Sequence, residues 1–216
     1  MTAELDPEFV VARTRLWLER AVIGLNLCPF AKSVHVKRQV RYVVSSARSP
    51  AELLAQLEQE LRHLAQVDPA ETDTTLLIHP GVLEDFLDFN DFLAEAEETV
   101  ERLDLAGELQ VASFHPEFQF GDARADDPSN LTNRSPWPTL HLIREASIDR
   151  AVEAFPEAET IYERNIELTT ALGHAGWQSL FADADALART QAAGGQAREP
   201  QEAPARHQPP SPVVDD

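Results

Sequence analysis

The sequence predicts an α+β or α/β fold, a single-domain sandwich with a mixed sheet of about four strands and helices packed on it. Three observations carry that expectation. Segments with apolar residues every three or four positions interleave with short segments rich in β-branched and alternating residues. The chain has 216 residues, 43% of them apolar, which is enough for one compact core. Its end turns rich in Pro, Ala and Gln, so residues 1–182 are expected to fold and 183–216 to form a disordered tail.

The elements follow in order. Residues 7–27 read as a helix, because Trp17, Leu18, Ala21, Val22 and Leu25 make one apolar stripe. Residues 39–46 read as a strand with Val40, Tyr42 and Val44 on one face and Arg41 and Val43 on the other. Ser49-Pro50-Ala51-Glu52 opens a helix, with a Ser cap, Pro in the first turn and Glu three residues on. It continues through Leu53, Leu57, Leu61 and Leu64. Thr74 to His79 form a buried strand stopped by Pro80-Gly81. A helix over about 84–104 turns Phe86, Phe89, Leu93, Ala96, Val100 and Leu103 inward and an acidic face to solvent. Residues 109–115 form a strand, 116–137 have no period, and 139–143 resume a strand. Ser147 can cap a short helix to Phe155, and Thr160 with Glu163 opens another that ends near Leu172 at Gly173. Strands joined by helices imply parallel pairing; the fourth follows the third without a helix and is free to pair antiparallel.

The formal charge is −19. Residues 1–48 carry eight basic and four acidic side chains, whereas 49–131 carry three and twenty. Such an acidic chain argues against a phosphate-backbone binder, so no nucleic-acid partner is expected. No stretch has the length and apolarity of a membrane span, and the first residues lack a secretory pattern. A cytoplasmic protein is the expectation. The single cysteine, Cys28, excludes an internal disulfide and a multi-cysteine zinc site within the chain.

Glycine-rich phosphate loops, nucleophile elbows and His-Glu-x-x-His or Cys-x-x-Cys motifs are missing, so chemistry is sought in weaker constellations. His79 and His115 each end a strand and precede a Pro, which puts both at the sheet edge where open α/β folds bind ligands. The loop 116–137 is too long to be a mere connection and holds Phe118, Phe120 and Trp137. In it, Asp126 and Asp127 offer an acid–base pair or a cation site, while Asn130, Asn133, Arg134 and Ser135 offer donors for a carboxylate or phosphate. Arg134 paired with a nearby Asp would instead tie the loop to itself. Cys28 has two readings. Closing the first helix, it would face the wrong end of the dipole for a thiolate; opening a turn at Pro29, it would be favoured as a nucleophile. A metal site would combine His115 with His141 and Cys28, His79 or Asp126.

The segments Glu19 to Ala31, Val111 to Phe120, Asn130 to Glu145 and Glu163-Arg164-Asn165-Ile166 resemble domain-of-unknown-function family 1415, a mainly bacterial group. The resemblance covers roughly residues 10–180. The resemblance brings no established activity and implies no catalytic residues. It places Cys28, His115, Asn133, Arg134 and Arg164 within the family's motifs.

The expectation is therefore an enzyme acting on a small anionic metabolite. His115 would be the general acid or base, with Asp126 or Asp127 orienting it or assisting proton transfer, and Cys28 is the candidate nucleophile. Asn130, Asn133, Arg134 and Arg164 would hold the anion. A metal-binding protein using His, Cys and Asp ligands, and a binding or assembly module docking through its acidic helix and loop aromatics, are the alternatives.

Overall fold

The computed structural model describes residues 5–153 and 160–195. Helix α1 spans Pro7–Trp17, with Asp6 accepting a hydrogen bond from the Glu8 N–H at 3.0 Å and Pro7 in the first turn. The single α-helix to residue 27 read from the periodicity is not what forms. The chain passes into a π-helical turn, Leu18–Ile23, in which the Gly24 N–H donates to the Glu19 carbonyl at 2.9 Å, five residues back. A Cβ at Gly24 would stand 2.3 Å from the Arg20 carbonyl oxygen, so only glycine closes this wide turn. Asn26 then takes a left-handed conformation (φ 55°) and delivers the chain to a short helix α2, Ala31–Val36, which carries no apolar period long enough to announce itself.

Strands and helices then alternate as expected through β1 Val40–Val44, α3 Pro50–Gln66, β2 Thr74–Ile78, α4 Phe86–Arg102, β3 Leu109–Phe114 and β4 Thr139–Arg144, with a 3₁₀ segment Pro128–Asn133 in the loop before β4; α5 Glu145–Glu153, α6 Ile161–Leu180 and α7 Ala184–Gly195 follow. The four strands make one mixed sheet in the order β1-β2-β4-β3. β1 and β2 are parallel, and β4 is antiparallel to both β2 and β3. The fold class predicted from the sequence is the one observed, and the fourth strand lies between the second and third.

One sheet face is sealed. Leu77, Leu140, Leu142 and Leu109 meet Leu53, Leu57, Leu61 and Leu64 of α3 and Phe89, Phe92, Ala96 and Val100 of α4. The predicted stripes account for this core except Phe92. Ser49 caps α3 by accepting the Glu52 N–H at 3.3 Å. Arg41, on this face of β1, grips Glu60 of α3 through two nitrogens at 2.9 and 3.2 Å. Arg144, at the end of β4, donates to the carbonyls of Leu64 and Val67 and so satisfies the carboxyl end of α3.

The opposite face is covered unevenly. Val10 of α1 packs on Leu76 and Ile78 near the carboxyl ends of the parallel strands. The π-helical turn, α2 and α5 roof the other end and leave a cavity beneath them.

Three boundaries differ from the sequence reading. The domain does not stop at residue 182: Ala184 and Ala188 of α7 are buried against Ala12 and Leu16 of α1, and Asp185 pairs with Arg13 at 2.9 Å. The small side chains that read as tail composition are what let these two helices approach closely. The remainder of the predicted tail, 196–216, lies outside the described residues. Helix α5 starts at Glu145, directly off β4, and the Ser147 hydroxyl donates to Asp73 (2.7 Å) instead of capping. The predicted end of that helix at Phe155 lies outside the described residues. Gly173 (φ 61°, ψ 176°) breaks α6 where the sequence ends it, but the chain resumes helical to Leu180. Among the described residues no helix is long and apolar enough to cross a membrane.

Candidate functional site

His79 and His115 do reach one edge of the sheet, although β4 separates their strands. Both rings lie against Phe89, with centroids 5.5 and 5.2 Å away. Neither histidine has any exposed surface. The His79 Nδ1–H donates to the Val82 carbonyl at 2.9 Å, and the His115 Nε2–H to the Leu83 carbonyl at 3.3 Å. Leu83 adopts a left-handed backbone (φ 55°) between these two carbonyls and the start of α4. The His115 Nδ1 accepts the Glu117 N–H at 3.0 Å, so its lone pair is spent. Burial pushes the His79 pKa down to about 4, with His115 beside it adding to the effect, and burial lowers that of His115 as well. These are neutral rings fixing the loop 80–85 to the sheet. The acid–base role expected of His115 has no free nitrogen to perform it.

The loop 116–137 is ordered by its own polar side chains. Asn130, with no exposed surface, accepts the Phe120 N–H at 3.0 Å and donates to the Arg124 carbonyl at 2.7 Å. Asn133 donates to the Ser113 carbonyl at 3.4 Å. Asp127 accepts the Ser129 N–H and caps the 3₁₀ segment, which lowers its pKa. The Asp126 carboxylate is 74% exposed and pairs with Arg124 at 3.1 Å, so it is a surface group and not a partner for His115. Arg134 uses Nε and one Nη on the Phe118 and Ala125 carbonyls, at 3.3 and 2.9 Å, and its own carbonyl accepts the Trp17 Nε1–H at 2.8 Å. The self-clamping alternative therefore holds, through carbonyls instead of an Asp. Of the predicted anion-binding set, Asn130 and Asn133 are committed to backbone. Arg164 stands elsewhere: it donates to the Asn26 carbonyl at 2.6 Å, while Asn165 donates to that of Leu27 at 2.8 Å. The two position the turn that presents Cys28.

Cys28 combines both sequence readings. Its N–H bonds the Val22 carbonyl at 3.3 Å and finishes the π-helical turn, while its thiol meets the backbone N–H groups of Phe30 and Ala31 ahead of α2. Burial raises the thiol pKa more than those two donors lower it, so Cys28 is a protonated thiol and not an activated nucleophile.

Cys28 lines the cavity, whose volume is about 850 Å³. That is ample for a small organic molecule. Trp17, Val22, Phe30, Leu76, Phe114 and Ile143 give it apolar walls. It lies toward the amino ends of β1 and β2, not at the carboxyl edge where the ligand crevice was expected. His141 stands on the wall of this cavity. Thr74 spends its hydroxyl proton on the Leu142 carbonyl (2.6 Å) and so accepts the His141 Nε2–H at 2.7 Å. The His141 Nδ1 keeps its lone pair and has no hydrogen-bond partner among the described residues. Burial pushes the His141 pKa down to about 4, so the ring is neutral at pH 7. Ala112 faces His141 across the β3–β4 ladder, and its small side chain leaves room beside the ring. Lys37 and Arg150 are exposed where they line the cavity, and Arg150 bonds Ser147 at 2.9 Å, which bonds Asp73.

His115 and His141 occupy opposite sheet faces. Residue 141 pairs with residue 112, and 115 is an odd number of residues further along β3's direction. The predicted His115–His141 metal site is therefore not assembled. No group of three or more His, Cys, Asp and Glu side chains among the described residues is placed to hold a metal ion. The alternation that separates the two histidines was readable in the sequence; the strand order that brings His141 over Thr74 was not.

No curated protein and no solved structure matches the chain. A family profile described as protein of unknown function, DUF1415, matches residues 9–179, which takes in the sheet, the whole cavity lining and all of α6 but its last residue: the chain belongs to that family.

Proposed function

We propose that the protein is an enzyme acting on a small organic acid with an apolar body, bound in the cavity between the sheet and the roof of the π-helical turn, α2 and α5. The observation that carries this reading is His141, a neutral imidazole with an unused Nδ1 lone pair on the wall of a cavity of about 850 Å³. The apolar walls would take the body of the ligand, and Lys37 and Arg150 at the rim would meet its anionic group. His141 would receive a proton at Nδ1 while Thr74 holds Nε2. This keeps the acid–base chemistry expected from the sequence and moves it from His115 to His141. Cys28, as a protonated thiol, contributes a soft wall and a weak donor.

The test is a thermal-shift series with straight-chain and aryl carboxylates on the wild type and on Ala112→Trp, which fills the space beside His141. Stabilisation that grows with apolar length and disappears in Ala112→Trp supports the reading. Absence of any shift in the wild type, or equal shifts in both proteins, overturns it. His141→Gln keeps a donor to Thr74 and removes the lone pair. It should retain binding and lose turnover of whichever acid binds.

A further inference from the structure

We propose a second binding site, for a compact dianion such as a phosphate or short dicarboxylate, in the pocket between α1, the end of the 3₁₀ segment and the second half of α6. This pocket has a volume of about 320 Å³, and Arg13, Arg134, His174, Gln178, Trp17 and Trp177 are among its lining residues. No Asp or Glu lines it, although the chain carries a net charge of −19. Two guanidinium groups converge on it with capacity to spare. Arg13 gives Nε to Asp185 at 2.9 Å and lies 5.0 Å over the Phe181 ring, and neither of its Nη atoms has an acceptor among the described residues. Arg134 gives Nε and one Nη to loop carbonyls and has no carboxylate within ion-pair distance among the described residues, which leaves its second Nη unused.

A guanidinium held by carbonyl oxygens keeps its full positive charge, because a carbonyl satisfies the donors without neutralising the cation. Desolvation acts against that charge at Arg134, and the Glu117 carboxylate, which forms no ion pair with it, offsets this only in part. An anion in the pocket would relieve it, and two converging guanidinium groups suit oxygens spread over a phosphate or a pair of carboxylates. The surrounding structure fixes the geometry. Trp17 bonds the Arg134 carbonyl, His174 Nε2–H bonds the Asp126 carbonyl at 2.9 Å, and Asn130 braces the loop. Trp17 also lines the large cavity, so its indole is a wall common to both spaces. Beyond that shared wall the site has no charged residue in common with the proposed catalytic cavity.

The experiment is a titration of the full chain with inorganic phosphate and, separately, malonate, followed by tryptophan fluorescence and compared with sodium chloride at matched ionic strength. A saturable change with either anion and none with chloride is expected. A response to phosphate alone assigns a phosphorylated ligand, and one to malonate alone assigns a dicarboxylate. Gln178→Glu places a carboxylate in the pocket without touching any bond that holds the loop, and it should weaken binding at least tenfold. Arg134→Lys keeps the charge but loses the planar fork, and it should weaken binding less than Arg134→Gln does. No saturable change in the wild type, or an unchanged affinity in Gln178→Glu with its fold confirmed by circular dichroism, overturns the proposal. Binding that survives Ala112→Trp keeps this site separate from the fate of the larger cavity.

Discussion

Lowering the pH from 7.5 to 5 should destabilise the protein markedly, and the buried histidines set the size of the effect. His79 and His141 both have pKa values of about 4 in the fold, against about 6.5 in an unfolded chain. Between those values the unfolded state binds the proton and the folded state does not. Stability is therefore fully present above pH 6.5 and is lost as pH falls toward 4. For one such group the loss from pH 7.5 to 5 is RT ln[(1 + 10^1.5)/(1 + 10^−1)], or about 2 kcal/mol. His79, without exposed surface, should contribute close to that. His141 should contribute no more, because it borders a cavity that water can enter. The sum is about 2–4 kcal/mol, a large part of a typical domain's stability. Urea unfolding followed by tryptophan fluorescence at the two pH values, in salt concentrated enough to screen the acidic surface, measures it. His79→Asn, which keeps a donor for Val82, should remove about half of the pH dependence in line with the per-group arithmetic. A wild-type stability that is equal at both pH values, or higher at pH 5, would refute the neutral-histidine account.

Two further outcomes follow from the packing. Asn130→Ala leaves the Phe120 N–H and the Arg124 carbonyl without their partner, which should cost about 2–3 kcal/mol in urea unfolding and speed proteolytic cleavage within 116–137. Unchanged protease resistance would mean that the loop is held by something else. Deleting residues 184–216 removes α7, uncovers Ala12 and Leu16 and strips Asp185 from Arg13. A loss of about 2–3 kcal/mol, or about 5–10 °C in Tm, is expected by the usual scaling for a domain of this size. An unaltered Tm would return the domain boundary to residue 182.

The sequence was informative where one residue decides one local outcome. The Ser49-Pro50 start, the leucine row of α3, the stop at Pro80 and the break at Gly173 are all set by side-chain type and spacing, and all are observed. The π-helical turn was hidden because its residues keep a helical apolar pattern; only Gly24, in close contact with a carbonyl, betrays it. α7 was misread because alanine scores alike for a close helix contact and for a polar tail. The site was harder still. His115 and Asn130 attracted notice as polar residues near a sheet edge and a long loop, but their partners are backbone groups that no spacing rule identifies. His141 sits between two leucines in an ordinary strand, and its setting on the cavity wall depends on Thr74 lying opposite its flank and on Ala112 lying beside it. Both are consequences of strand order, which short-range pattern does not encode.

That strand order also constrains how the molecule is made. Until Thr139–Arg144 has been synthesised, β2 lacks one of its two neighbours and β3 lacks the one strand it pairs with in the finished sheet. A nascent chain ending near residue 115 can pair β1 with β2 and dock α3 and α4, yet it must hold two naked strand edges apart. One belongs to Thr74–Ile78, whose residues are all buried in the end. Exposed edges of that kind invite pairing with other chains. The last strand inserts like a keystone between segments that have already waited for it, so growth conditions that slow translation past the third strand should send more of this protein to chaperones or into aggregates.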